Sequence, residues 1–368
     1  MDLPEGYSLT GGDGINSFSF ESSLGSKFDI VFYQNDVNAG ATGRSYSSLE
    51  ALTQDVQSRL NNSGDIDFFE YRGKKASLLT LEFLLPGSGR MTGWALCFEL
   101  DSLNRRQTGS GINPGISKPM LLAMAYNPAG RNDLSLIHLS ALDSIAPEEG
   151  DRLAPGPITE YAYPRENRRR ASIFGLGINA WIFEEDAEAA QALIDREFQV
   201  LTIYQNAPNW KDAWTRFYKA IYRDSFERLA DIAFQVERRL NVPLKDDRIF
   251  ANMVLNWVQN FEYERNIEGS DFINLITAAT EGIGDCDNRA MLWAIVLIRA
   301  NIPAGIMVSR EYGHAMGLAD LDGAGARFEV NGIRYLVAET TADVSIGLIG
   351  ETVSEIEYWH GINFAIRN

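Results

Sequence analysis

The sequence predicts an α+β protein in two parts: a β-rich N-terminal domain, then a domain in which a helix that opens on a cysteine packs against an antiparallel sheet. Three observations predict this. Residues 28–139 hold a succession of short runs rich in β-branched, aromatic and aliphatic residues, separated by polar or glycine-containing stretches. Residues 184–261 carry apolar side chains at helical spacing. Glu281-Gly282-Ile283-Gly284-Asp285-Cys286-Asp287-Asn288-Arg289 leads into a run, residues 290–298, that is apolar throughout, and two strand-like runs follow it.

Composition bounds the rest. At 368 residues, with 45% hydrophobic and 23% charged residues, the chain is long enough for two sizeable cores. No stretch approaches the roughly 18 uninterrupted apolar residues of a membrane span, so a soluble protein is expected. A formal charge of −17 argues against a nucleic-acid partner, because binding phosphates needs a basic face. The start, Met1-Asp2-Leu3-Pro4-Glu5-Gly6, has no basic region followed by an apolar stretch, so no signal peptide is expected. An exported protein without its signal segment and a cytoplasmic protein both fit, and oligomeric state is left open.

In chain order, residues 28–33 read as a strand. Ser47 and Glu50 form a capping box for a helix whose Leu49, Leu52, Val56 and Leu60 share a face. Strands are expected at 68–71, 77–85, 91–100, 120–126 and 134–139, with a loop at 104–117. Cys97 falls in an apolar strand and reads as core. His138, alone among leucines and isoleucine, reads as structural. The accessory domain so defined is 1–145, and residues 146–180, rich in Pro, Glu and Arg, read as an ordered connection. Within that connection Arg168-Arg169-Arg170 reads as a solvated loop. Helices are expected over 184–199, 210–240 as one or two, and 247–261 with Phe250, Val254, Trp257, Val258 and Phe261 on one face. The second domain is taken as 181–368, with its core at about 245–345.

Cys286 stands at the mouth of the buried helix, behind Asp285 as N-cap and two glycines that supply turn flexibility. A helix N-terminus carries unpaired N–H groups and about half a positive charge, which favours thiolate over thiol. A cysteine becomes a strong nucleophile when a base lies nearby. His314 follows in the strand-like run 308–318, and Glu339 ends the run 333–341, offering a carboxylate to orient that base. Asp343 is a rival for the third place. Asn331-Gly332 marks a hairpin turn between them. Asp320-Leu321-Asp322-Gly323 lacks the ligands of a calcium loop and reads as a turn.

This order and these local sequences resemble the transglutaminase-like superfamily of papain-type cysteine enzymes. The matching features are Gly284-Asp285-Cys286 ahead of the apolar helix, Ala300-Asn301-Ile302-Pro303-Ala304 after it, Gly313-His314-Ala315, and Ala338-Glu339-Thr340-Thr341 where the family often has Asp-Pro-Thr. The resemblance covers about residues 245–345. It departs from the family in having Glu at the third position and extra residues between His314 and Glu339.

The resemblance implies a papain-like domain with Cys286 as nucleophile, His314 as base and Glu339 as orienting acid. The activity it implies is cleavage of peptide-like amides through a thioester, with no cofactor and no metal, on a protein or peptide substrate. Transfer to an amine acceptor uses the same triad, and a non-catalytic binding or scaffold protein on this fold is the reading from another class. The backbone N–H of Cys286 is one natural oxyanion donor. Trp257, Gln259 and Tyr263 are the candidates for a second.

Overall fold

The computed structural model describes residues 1–33, 44–101, 118–240, 246–264 and 270–364. The fold is α+β, 38% helical and 30% strand, built on large antiparallel sheets. The loop expected at 104–117 lies outside the described residues. Among those residues, no helix is long and apolar enough to cross a membrane. The chain divides into two compact units, Met1–Asp151 with Gly156–Ala162 and Thr202–Asn209, and the remainder.

The first unit holds β1 (Tyr7–Gly12), β2 (Ser17–Ser22), β3 (Lys27–Tyr33), α1 (Leu49–Leu60), β4 (Ile66–Tyr71), β5 (Lys74–Leu85), β6 (Gly89–Glu99), β7 (Met120–Pro128), α2 (Ser135–Asp143) and α3 (Pro157–Ala162). Its seven strands form one sheet in the order β1-β2-β3-β7-β6-β5-β4. Every pairing is antiparallel. Strand alternation sends neighbouring side chains to opposite faces. Cys97 joins Leu49, Leu52 and Val56 of α1 in one core, while Leu96 and Phe98 join Ala141 and Leu142 of α2 in the other. Burial pushes the Cys97 thiol up to about 12, and neither Cys97 nor Cys286 is in a disulfide among the described residues.

Two details differ from the sequence reading. The N-cap of α1 is Ser48, whose hydroxyl accepts from Ala51 N at 3.2 Å. That placement makes Leu49 the first helical residue and buries it. The segment expected as a strand at 134–139 is helix α2. Leu134, Ile137, His138, Ala141 and Leu142 recur every three or four residues, and this helical period is visible only when the run is followed past Leu139.

His138 is fully buried in α2. Its Nε2 lies 2.6 Å from Ser26 Oγ, and its Nδ1 has no hydrogen-bond partner among the described residues. Burial lowers its pKa from 6.5 to about 4. The folded state therefore keeps the imidazole neutral at pH values where the unfolded chain already binds a proton. Stability is expected to fall as pH drops from about 6.5 to about 4, by about 3 kcal/mol in all, and then to level off for this group. Denaturant midpoints measured across that window check this. His138→Gln should flatten the pH dependence whatever it costs at pH 7, and an unchanged slope would refute the assignment.

The second unit holds β8 (Arg168–Ile173), β9 (Ile178–Phe183), α4 (Asp186–Ile203) but for its last two residues, α5 (Trp210–Arg228), α6 (Ala230–Leu240), α7 (Asp247–Gln259), α8 (Leu275–Glu281), α9 (Cys286–Arg299), β10 (Ala304–Ser309), β11 (His314–Ala319), β12 (Arg327–Val330), β13 (Ile333–Ala338) and β14 (His360–Asn363). The arginines expected in a loop instead open strand β8. Arg168 and Arg170 lie opposite Phe183 and Trp181 on β9, and their guanidinium groups stand over those rings at 5.4 Å.

The main sheet of this unit runs β12-β13-β11-β10-β14 and is antiparallel throughout. Helix α9 is buried on all sides, every residue from Ala290 to Leu297 being at most 1% exposed. Its Trp293 donates from Nε1 to Ala251 O of α7 at 3.0 Å. The Trp293 ring lies on the backbone of Gly317 in β11, where a Cβ would come within 2.5 Å of it. Glycine is thus required there by space and not by φ.

Candidate active site

The mouth of α9 is set by a short rigid lead. Helix α8 ends at Gly282 in the left-handed region, φ 73°. A side chain there would also overlap the Phe174 ring. The lead is stitched to the end of α7's extension, with Glu262 N donating to Gly282 O at 2.7 Å and Gly284 N to Glu262 O at 3.0 Å. Asp285 then caps α9. Its Oδ1 accepts from Asp287 N and Asn288 N, and Asn288 Oδ1 accepts from Asp285 N at 3.1 Å in return, completing a capping box. Cys286 is thereby the first helical residue and is 2% exposed.

The sheet brings the other two groups to the same end. Helix α9 reverses into β10, and β10 pairs antiparallel with β11, so α9 and β11 run in the same sense. Trp293 lies about two helical turns beyond Cys286, and the residue it touches, Gly317, lies about 10 Å along β11 from His314. The starts of the two elements therefore lie at the same end of the unit. Strand β13 runs antiparallel to β11 with Ala338 opposite Gly317, which delivers Glu339 to that same end.

The run read as one strand over 308–318 is in fact broken. β10 ends at Ser309, a turn with Gly313 at φ 55° follows, and His314 opens β11. The Asn331-Gly332 turn is present, with both residues at positive φ, which is what a two-residue hairpin of this kind demands.

His314 Nε2 and Glu339 Oε2 are 2.9 Å apart. Glu339 Oε1 accepts from Thr341 N at 2.8 Å and from Thr341 Oγ1 at 2.6 Å. Burial works to raise the Glu339 pKa, but the bond to His314, the imidazole's charge and the two Thr341 donors outweigh it and hold the carboxyl below its ordinary value. A carboxylate at Nε2 keeps the proton on that nitrogen and leaves Nδ1 as the proton-accepting one. Of the two acids weighed for this place, Glu339 is the one bonded to His314, whereas Asp343 is exposed in the loop beyond. The Trp359 ring meets the imidazole edge-on at 6.1 Å.

Two of the three side chains considered as oxyanion donors have their N–H groups committed. Trp257 Nε1 donates to Phe174 O at 2.8 Å. Gln259 Nε2 donates to Glu339 O and Val344 O, each at 2.9 Å. Gln259 therefore braces the Glu339 backbone. Tyr263 is 53% exposed, and its ring faces the Arg289 guanidinium at 5.6 Å.

The carboxylate oxygens of Asp285 and Asp287 and the Cys286 sulfur lie within 4.8 Å of one another. Asp285 uses an oxygen in the cap, and Asp287 Oδ1 accepts from Tyr218 Oη at 2.8 Å. These groups are therefore the electrostatic surroundings of the thiol. Burial first, then Asp287, Cys286 and Asp285, holds the Tyr218 phenol well above its ordinary range. Sequence reasoning assigned no part in the site to Tyr218, Trp359 or Arg289. The last left a trace, a charged residue one turn from the cysteine and directly ahead of the apolar run 290–298.

No protein-family model matches the chain, and no curated protein does. Among solved structures, the cyanobacterial PsbP (CyanoP) of Synechocystis sp. PCC 6803 aligns at 11% identity and a TM-score of 0.20, over 35% of this chain and 72% of that one. A protein of Bacteroides thetaiotaomicron VPI-5482 aligns at 12% identity and a TM-score of 0.19, over 60% of this chain and 71% of that one. Similarity at these scores carries no argument about fold or function.

Proposed function

We propose that the second unit is a cysteine acyl-transfer enzyme of transglutaminase-like, papain-type architecture that hydrolyses peptide-like amides. The observation that carries this reading is the His314–Glu339 pair at 2.9 Å, at the end of the sheet where β11 starts beside the mouth of α9. In the proposed reaction the Cys286 thiolate adds to the amide carbonyl, forming a C–S bond and an oxyanion. The backbone N–H of Cys286 is a natural donor to that oxyanion. Collapse of the tetrahedral species breaks the C–N bond, and the His314 imidazolium gives its proton to the leaving amine. Water then adds to the thioester while His314 takes its proton, the C–S bond breaks, and acid and thiolate are released. Glu339 keeps the ring oriented and stabilises its cationic form. An amine in place of that water gives transfer with the same groups.

The test is to mix the protein with an activated acyl donor, a peptidyl p-nitrophenyl ester, quench in acid and map the adduct by mass spectrometry. The expected result is a hydroxylamine-labile acyl group on Cys286 and none on Cys97. Absence of any adduct on Cys286 while the ester is intact refutes the reading.

A further inference from the structure

The usual reason for a reactive cysteine at a helix N-terminus is weakened here. That end of α9 already carries negative charge, with Asp285 on its first N–H groups and Asp287 in its first turn. Their oxygens lie within 4.8 Å of the sulfur, and like charges this close oppose a further anion. From α5, Tyr218 is bonded to Asp287 and brings no positive charge. From the sheet come His314, cationic only when protonated, and the Glu339 carboxylate.

A permanent cation stands one turn along α9. Arg289, at i+3 from Cys286, shares its helix face. Long helical side chains point back toward the N-terminus. Accordingly Arg289 Nε donates to Gly284 O at 3.2 Å and Nη2 to Phe261 O at 2.7 Å, which folds the guanidinium under the helix mouth. The residue is 3% exposed. Its hydrogen bonds go to neutral backbone carbonyls, so they hold the group in place without cancelling its charge. Burial lowers the Arg289 pKa, and Tyr263, Asp285, Cys286 and Glu339 act electrostatically in the opposite direction, which is the signature of a cation that these groups feel.

We propose that Arg289 is a positioning residue that sustains the Cys286 thiolate, its buried guanidinium supplying the positive charge that the capped helix end no longer provides, whether or not His314 is protonated. The inference rests on Cys286 being the nucleophile. It deepens that reading by dividing the work. Arg289 adds its charge to that of the His314 imidazolium in sustaining the thiolate, and His314 alone moves the proton.

The test is the pH dependence, from 4 to 9, of Cys286 alkylation by iodoacetamide in the full chain. It compares the parent with Arg289→Gln, which keeps amide donors but no charge, and with Arg289→Lys, which keeps the charge. Each variant is also made with His314→Ala. The Gln variant is expected to raise the Cys286 midpoint by about one unit or more, slowing labelling below the midpoint about tenfold. The Lys variant is expected to recover most of that shift, and the Gln shift should persist without His314. A folded Gln variant whose midpoint stays within about 0.3 unit of the parent overturns the proposal. If the Gln variant does not fold, the Lys variant decides, because a midpoint raised by a unit despite the retained charge overturns it equally. A parent Cys286 that titrates near the free value of about 8.5 sinks the nucleophile reading itself. A lowered parent value with an unmoved Gln variant sinks only the role of Arg289.

Discussion

Replacing His314 with alanine is expected to slow acylation of Cys286 about 10²- to 10⁴-fold, the range that a positioned general base contributes. The ring holds no core together. Its side chain is 18% exposed and its side-chain bond is to Glu339, so the variant should fold like the parent. Glu339→Gln should fall between the two, because an amide can still bond the ring but no longer stabilises its cation. Single-turnover acylation by the p-nitrophenyl ester, read as adduct on Cys286 against time, checks both. A loss smaller than threefold in His314→Ala would remove the base from the mechanism.

Trp293→Ala is the second large effect. Trp293 is fully buried and bonded to Ala251 O, and its ring fills the space over Gly317. Truncation leaves a cavity and an unpaired carbonyl, for a cost of about 3–5 kcal/mol. Because this contact also sets how far α9 sits along β11, the register of Cys286 against His314 should loosen with it. A urea titration read by tryptophan fluorescence, with the acylation rate measured under conditions where the variant stays folded, separates stability from positioning. A cost below about 1 kcal/mol would contradict the packing described.

Most of the second unit was legible from its residues. The buried helix announced itself as an unbroken apolar run, and Asn331-Gly332 fixed the β12–β13 hairpin through its need for positive φ. The order Cys286, His314, Glu339 could be read, and the structure brings His314 and Glu339 into contact. The break between β10 and β11 was less visible, because Val308 to Leu318 is apolar at both ends and only Gly313 marks the turn.

In the first unit, strands with clear alternation such as β5 and β6 were readable. β1 and β2 were not. Their sequences, YSLTGG and SFSFES, are rich in serine and glycine and their side chains are mostly exposed or half-buried. Helix α2 was misread because a window ending at Leu139 stops short of Ala141 and Leu142, which complete its period.

What the sequence could not show was tertiary direction. Gln259 braces Glu339 only because α7 passes beside the loop after β13. Arg289 bears on the thiol only because its side chain folds back under the helix mouth. Charge and spacing are written in the chain, but the direction a long side chain takes is settled by the carbonyls it finds.

The central claim is that Cys286 is a thiolate paired with the His314 imidazolium. The most direct measurement is the rate at which each cysteine is alkylated by iodoacetamide from pH 4 to 9, in the parent and in His314→Ala. The prediction is fast labelling of Cys286 at acidic pH, slowed and shifted upward by His314→Ala, with Cys97 inert in both. Labelling of Cys286 no faster than a free thiol and indifferent to His314 would contradict it, and would point instead to a binding protein on this fold.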